Sequence, residues 1–377
     1  MRFLHLSDLH LGKRISEVSM LDDQAYILDQ ILNIIDSNAA DAVLISGDVY
    51  DKPVPPGEAV RLFDSFLTAV SNMDKHVFII SGNHDSAERL SFGAKIMENS
   101  KIHIFSVFEG RPHAVKIDDG FGEINIYMLP FVKPSNVRGF FPDKAIDTYN
   151  DAVRAVIGEL NINRSSRNIL LAHQFVTGAL RSESEEISVG GLDNVDADIF
   201  KDFDYAALGH IHRPQSVLEE KIRYCGTPLK YSFSEANHKK TVTLVDMGKK
   251  GETLIKEIPL YPKRDMRQIK GKYGELTLRG NYKGTKTDDY LHVTLTDEQD
   301  VPDAAGRLSA IYPNILRLDY ENSRTKALGE ISSPKGKEKL PMELFGEFYS
   351  LQNNQDLNAE QEKLVRDMIN EIWGTGK

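Results

Sequence analysis

A single cysteine, Cys225, stands in a chain of 377 residues. That excludes an internal disulfide framework and suits a reducing cytoplasm, the expected location. No apolar run reaches the roughly 18 residues a spanning helix needs, so no membrane association is expected. The start, Met1-Arg2-Phe3-Leu4-His5-Leu6-Ser7-Asp8, turns polar too early for a secretory signal and reads as a first strand. An excess of positive charge is also missing: 46 Lys and Arg face 56 Asp and Glu, a net charge of −10. Alone this weighs against nucleic acid, whose binders neutralise phosphates with Lys and Arg. The weight is small, because the distribution of charge matters more than its total and bound divalent cations offset clustered carboxylates. There is no internal repeat and no long low-complexity tract. What remains, 41% hydrophobic and 27% charged residues, is ordinary globular composition, and the length fits two to three domains.

Over the first 230 or so residues, short apolar runs alternate with amphipathic stretches. Phe3 to Leu6, Ala42 to Ile45, Val77 to Ile80, Ile124 to Leu129, Ile169 to Ala172 and Tyr205 to Leu208 read as buried strands. Asp22 to Ser37, Gly57 to Met73, Ala87 to Met97 and Ala145 to Leu160 read as helices. In the first helix Tyr26, Ile27, Ile31, Ile34 and Ile35 share an apolar face, with Gln30 the exception. Such alternation predicts an α/β core with helices covering its sheets, and Thr241 to Val245 is expected to end it. Residues 263–273 then turn basic. A strand at Leu291 to Leu295, a helix at Asp303 to Ile311 and a strand at Ile315 to Tyr320 suggest a small α+β module. The expected divisions are a core at 1–250, a capping module at 251–322, a flexible linker at 323–340 and a helical segment at 341–377.

Five short signatures follow predicted strands: Asp8-Leu9-His10, Gly47-Asp48-Val49-Tyr50-Asp51, Gly82-Asn83-His84-Asp85, His173, and Gly209-His210-Ile211-His212. In an open α/β sheet the loops after the carboxyl ends of strands gather on one rim, where ligands bind. Residues scattered in sequence therefore converge there. Carboxylate, imidazole and amide oxygen together suit hard-to-borderline metals. Side chains at i and i+2 of a strand project to the same side, so Asp-x-His and His-x-His can each reach one centre. A lone Asp or His at a strand end is more often a turn or cap residue. Five such signatures in order are not easily accidental.

Their combination and order resemble the calcineurin-like metallophosphoesterases, whose fold is a sandwich of two sheets flanked by helices. The resemblance implies a first metal held by Asp8, His10, Asp48 and His212, and a second held by Asp48, Asn83, His173 and His210. Asp48 would bridge the two ions. His84 would be the catalytic histidine and Asp85 would orient it. Two cations about 3.5–4 Å apart would offset the charge of a phosphodiester and acidify a water, and His84 would stabilise or protonate the leaving alkoxide. Mn²⁺ suits the mixed donor set best; Mg²⁺, Fe²⁺ and Zn²⁺ remain compatible with it.

Lys52-Pro53 follows Asp51 where Ser/Thr phosphatases carry Arg-Gly, and Asp85 stands in place of their usual Glu. Arg213-Pro214 after the histidine pair, the start Phe3 to Lys13 and the stretch Tyr224 to Glu235 are similar to the SbcD nuclease family. Membership would imply a nuclease acting on duplex ends and hairpins in DNA repair, recombination and replication. ATP-dependent double-strand exonuclease and single-strand or hairpin endonuclease activity would go with it. An ABC-type ATPase partner, SbcC, and a homodimer of this chain within a heterotetramer would follow as well. The competing expectation is a metal-dependent phosphodiesterase on small molecules or nucleotides.

The basic run Lys263 to Lys272 reads more readily as a solvated face than as a DNA contact. Asp51 reads as a support behind the ligands or, more readily, as a turn residue, and His5, His103, His113, His238 and His292 as structural. The stripes Leu344–Tyr349 and Leu364–Ile372 offer helices for docking the ATPase.

Overall fold

The computed structural model describes residues 1–185, 193–323, 325, 341–353 and 356–373. It divides into two compact units, Met1–Met266 and Arg267–Lys377.

In the first unit the strands of the two large sheets are β1 (Arg2–Leu6), β2 (Ala42–Ser46), β3 (His76–Ile80), β4 (Ile102–Phe105), β5 (His113–Asp119) and β6 (Gly122–Leu129). They continue with β7 (Arg167–His173), β8 (Tyr205–Gly209), β9 (Gln215–Val217), β10 (Glu219–Tyr224), β11 (Thr241–Met247) and β12 (Thr253–Pro259). One six-stranded sheet runs β12-β11-β1-β2-β3-β4 and the other β9-β10-β8-β7-β6-β5. β1, β2, β3 and β4 are mutually parallel in the first; β6, β7, β8 and β10 are parallel in the second.

The near-continuous apolar runs in these strands have a simple cause, since both faces of each sheet are covered. Phe3, Leu44, Phe78 and Ile80 meet Ile126, Met128, Ile169 and Leu171 between the sheets. On the outer face of the first sheet, Leu4, Val43, Ile45 and Ile79 pack on α1 (Leu21–Ser37) and α2 (Gly57–Asn72) through Ile27, Ile31, Phe63 and Phe66. On the outer face of the second, Leu170, Ala206 and Leu208 pack on α3 (Tyr149–Gly158) through Val153 and Val156. Each such buried apolar side chain contributes about 1.5–3 kcal/mol. The sandwich flanked by helices is thus the expected α/β fold. Gln30, the polar exception in α1, is accounted for: its amide clamps the backbone of Tyr261 on both sides, at 2.9 and 3.3 Å.

Three expected elements differ. Ala87 to Met97 is two short helices, Ala87–Leu90 and Ala94–Met97, because Gly93 between them sits at φ +76°. The helix expected from Ala145 begins at Tyr149, where Thr148 and Asp151 form a reciprocal capping box. The core does not end at Val245. β12 pairs antiparallel with β11 from Thr253 to Pro259 and adds an edge strand. Its charged side chains, Lys256 and Glu257, hide the alternation expected of a strand.

The second unit holds a three-stranded sheet in the order β13 (Met266–Gly271), β14 (Tyr290–Leu295), β15 (Ile315–Tyr320). A helix, Ala304–Ser309, covers it through Leu308. Two longer helices, α4 (Pro341–Asn353) and α5 (Ala359–Trp373), follow. Most of the expected linker, residues 324 and 326–340, lies outside the described residues. Among the described residues no helix is long and apolar enough to cross a membrane.

Candidate metal centre

Register sets the strand ends level. In the first sheet Leu6 lies opposite Ile45, and Ser46 opposite Ile80; in the second, His173 lies opposite Gly209. The residues just past those ends therefore occupy one rim. Two contacts tie the rims of the two sheets together. The backbone N–H of His210 donates to the Asp8 carboxylate at 3.1 Å. His173 Nδ1 lies 2.8 Å from the Ser46 carbonyl, to which it donates. Asp8, His10, Asp48 and His210 all take positive φ, uncommon for side-chain-bearing residues and held here by the surrounding structure.

Glycine makes the approach possible. A Cβ on Gly82 would overlap the Asp48 carboxylate, and one on Gly209 would overlap the Ser46 carbonyl. Any larger residue at either place pushes a candidate ligand or its support out of position.

Asp8, His10 and His212 bring donor atoms within 4.8 Å of one another, as do Asp8, Asp48 and His173, and His10, Asp48 and His84. His10 Nε2 and His212 Nε2 lie 3.2 Å apart. Asp48 Oδ2 is 3.3 Å from His173 Nε2 and 3.8 Å from His10 Nε2. Asn83 Oδ1 lies 3.1 Å from His173 Nε2 and 3.0 Å from His210 Nδ1. All seven expected ligand residues and His84 thus fall in one cluster, with Asp48 central to it.

The donor set fits cations. Facing Nε2 atoms at 3.2 Å share one proton at most, whereas a cation between them satisfies both lone pairs. Burial holds the Asp8 carboxyl above its usual range, and the nearby Asp48 charge adds to that. Burial, aided by His173, pushes the His210 imidazole down to about 3 and keeps it neutral, the form that ligates metal. At His173 burial acts downward, but the Asp48 and Asp8 charges outweigh it and raise the ring to about 9. A buried cluster so dependent on protons for its charge balance is one that cations complete.

The supports differ in part from expectation. The Asp85 carboxylate accepts the backbone N–H groups of Val49, Tyr50 and Gly82 at 2.9–3.1 Å, pinning the second signature to the third. The His84 ring is held elsewhere, with Nδ1 3.0 Å from the Asp51 carbonyl. Asp51 is more than a turn residue: its side chain also pairs with Lys13 at 2.7 Å.

A layer behind His212 has no counterpart among the sequence signatures. His212 Nδ1 donates to Ser184 Oγ at 2.9 Å, and Ser184 donates to Glu235 at 2.6 Å. This fixes the tautomer and turns Nε2 toward His10. Glu235, fully buried, pairs with Lys240, whose ammonium also donates to the His212 and Thr227 oxygens at 2.9 and 2.6 Å. Tyr231 and Gln24 brace the first signature through the Leu9 and His10 carbonyls. Glu235 and Tyr231 lie in the stretch Tyr224 to Glu235 that carries the resemblance, the one signal that marks them.

Other expectations resolve simply. His5 is fully buried, with Nδ1 2.9 Å from the Tyr205 hydroxyl. His292 pairs with Asp319 at 2.8 Å. In the basic run Arg264, Arg267 and Lys270 each bind a carboxylate at 2.6 Å.

Residues 1–214 match the calcineurin-like phosphoesterase family, and residues 262–353 match a family described as the type 5 capsule protein repressor C-terminal domain. The chain is 31% identical to the SbcD component of the SbcCD nuclease of Staphylococcus epidermidis, over 99% of both chains. It is 32% identical to the same component from Staphylococcus saprophyticus, over the full length of both. A solved dimetal phosphatase from Danio rerio overlaps more loosely, with a TM-score of 0.42 and 9% identity over 68% of this chain and 95% of that one.

Proposed function

This chain belongs to the SbcD family of calcineurin-like phosphoesterases, and on that footing we propose that its rim cluster is the two-cation centre of a nuclease cutting DNA ends and hairpins. It is a metal-dependent nuclease subunit, and its centre takes two divalent cations. The observation that carries the site assignment is the position of Asp48, within 3.8 Å of His10 and 3.3 Å of His173. One cation would be held by Asp8, His10, Asp48 and His212, the other by Asp48, Asn83, His173 and His210. Bound there, the pair offsets the phosphodiester's charge and acidifies water.

The chain's own groups do the rest. Ser184 and Glu235 keep His212 in one tautomer, and Ser46 does the same for His173. The Asp51 carbonyl accepts from His84 Nδ1–H, which leaves Nε2 to meet the phosphate or the departing oxygen. The mixed set of oxygen and imidazole donors favours Mn²⁺ over Mg²⁺.

The capping module and helices are read as the parts that serve the complex. Leu344, Phe345 and Phe348 of α4 and Leu364 and Met368 of α5 are exposed, which supports docking on an SbcC-type ATPase. A homodimer within a heterotetramer completes the assembly.

A labelled-duplex and hairpin assay with Mn²⁺, with and without the ATPase and ATP, tests the reading. Wild type is expected to cut, and His84→Leu to lose about a hundredfold or more of the rate while still binding metal. Hydrolysis of small phosphodiesters alone under every condition would favour the small-molecule alternative.

A further inference from the structure

Beside the metal centre lies a cavity of about 130 Å³ lined by Asn83, His210, Phe131, Tyr149, Phe175 and Asp193. Gln174 also lines it. That side chain is fully buried, its amide N–H donates to the Val132 carbonyl at 3.1 Å, and its Oε1 has no hydrogen-bond partner. A buried amide oxygen without a donor costs stability unless a ligand supplies one. Resting on the nuclease reading above, we infer that this cavity receives one unpaired nucleobase of the nucleotide flanking the scissile phosphate.

The chemistry favours a base over other ligands. The aromatic rings in the lining offer stacking to a flat heterocycle. The free Gln174 oxygen accepts from an exocyclic amino or ring N–H, groups that bases present on their pairing edges. The volume is of the order of a single base. Because Asn83 and His210 belong to both the cavity and the metal centre, an occupant sits within a nucleotide of a phosphate held there. Lys133, exposed at the edge, adds a positive charge for the next phosphate.

The walls are also fixed in place. Arg181 stacks on Phe175 with its guanidinium carbon 3.4 Å from the ring centroid, and is tied to Asp193 at 2.8 Å. Phe175 itself is on a short strand paired with Asn194. Gln174 is held through its backbone carbonyl, which accepts from the Tyr224 hydroxyl at 2.6 Å. A preformed slot of this kind selects a base already out of its stack. Hairpin loops, frayed ends and mismatches provide such a base at little cost, and continuous duplex does not.

The test uses the full-length chain with Mn²⁺ and a single-stranded oligonucleotide in which one abasic nucleotide is moved stepwise past the cut position. Bis(p-nitrophenyl) phosphate, which has no base, runs beside it. At one position next to the cut the abasic substitution is expected to lower kcat/KM about tenfold, within the range that stacking on aromatic side chains supplies. Phe175→Ala or Tyr149→Ala should lower the ratio of oligonucleotide to bis(p-nitrophenyl) phosphate kcat/KM by a similar factor and flatten the abasic profile. Should those variants fail to fold, Gln174→Leu decides. Wild type is expected to prefer adenine over purine, which lacks the amino group, at that position, and Gln174→Leu to treat them alike. A flat abasic profile in wild type that still cuts DNA overturns the base slot and leaves the nuclease reading intact. Hydrolysis of bis(p-nitrophenyl) phosphate with no cutting of DNA overturns both.

Discussion

Single atoms decide the geometry at the rim. A methyl group on Gly209 would fall on the Ser46 carbonyl and within 2.7 Å of His173 Nδ1. Gly209→Ala is therefore expected to cost about 1–3 kcal/mol in urea denaturation and to weaken metal binding measured by calorimetry. His5 gives a separate, pH-dependent signal. Burial, with Arg223 nearby, pushes its imidazole down to about 3. Below the ordinary value of 6.5 the unfolded chain takes up a proton that the folded chain refuses. This contribution to stability is full above that value and is lost as pH falls toward 3, by up to about 1.4 kcal/mol per pH unit. Urea midpoints at about pH 7.5 and about pH 5.5 should show a smaller acid loss for His5→Phe than for wild type. An equal loss in both would remove His5 from the account.

At the scale of elements, caps and edges matter most. α3 opens on Thr148, whose hydroxyl accepts from the Asp151 N–H at 3.1 Å while Asp151 accepts from the Thr148 N–H at 2.9 Å. Thr148→Ala should cost about 1 kcal/mol, read as a lower midpoint of unfolding. Strands buried on both faces were legible in the sequence, since β2, β3, β7 and β8 carry unbroken apolar runs and β1 one broken only by His5. The exposed edge strand β12 was not, because Lys256 and Glu257 interrupt its pattern. The five rim signatures were legible because each follows a buried strand. The roles of their supports were not. Nothing along the chain says that Ser184, Glu235 and Lys240 meet behind His212, or that Asp85 holds backbone rather than the neighbouring imidazole. Those relations exist only once two sheets close on one another.

For the molecule as a whole, cations and fold are linked. Ions that bind only the assembled rim stabilise it by mass action, about 2.7 kcal/mol at a hundredfold excess over Kd. Thermal melts should show a higher Tm with Mn²⁺ than with chelator for wild type. Asp48→Asn should lose most of that difference, since Asp48 is close to both candidate sites. An undiminished shift in Asp48→Asn would remove Asp48 from the metal centre.

The span between Asp8 and His212 carries a consequence for biosynthesis. Asp8 leaves the ribosome well before its partners: the backbone of His210 and the ring of His212 that complete its surroundings come some two hundred residues later. The strand that flanks β1, β11, comes later still. A nascent or prematurely terminated chain therefore lacks the His210 and His212 side of the rim cluster. The candidate metal centre is therefore completed only after the second sheet has been translated and has closed on the first.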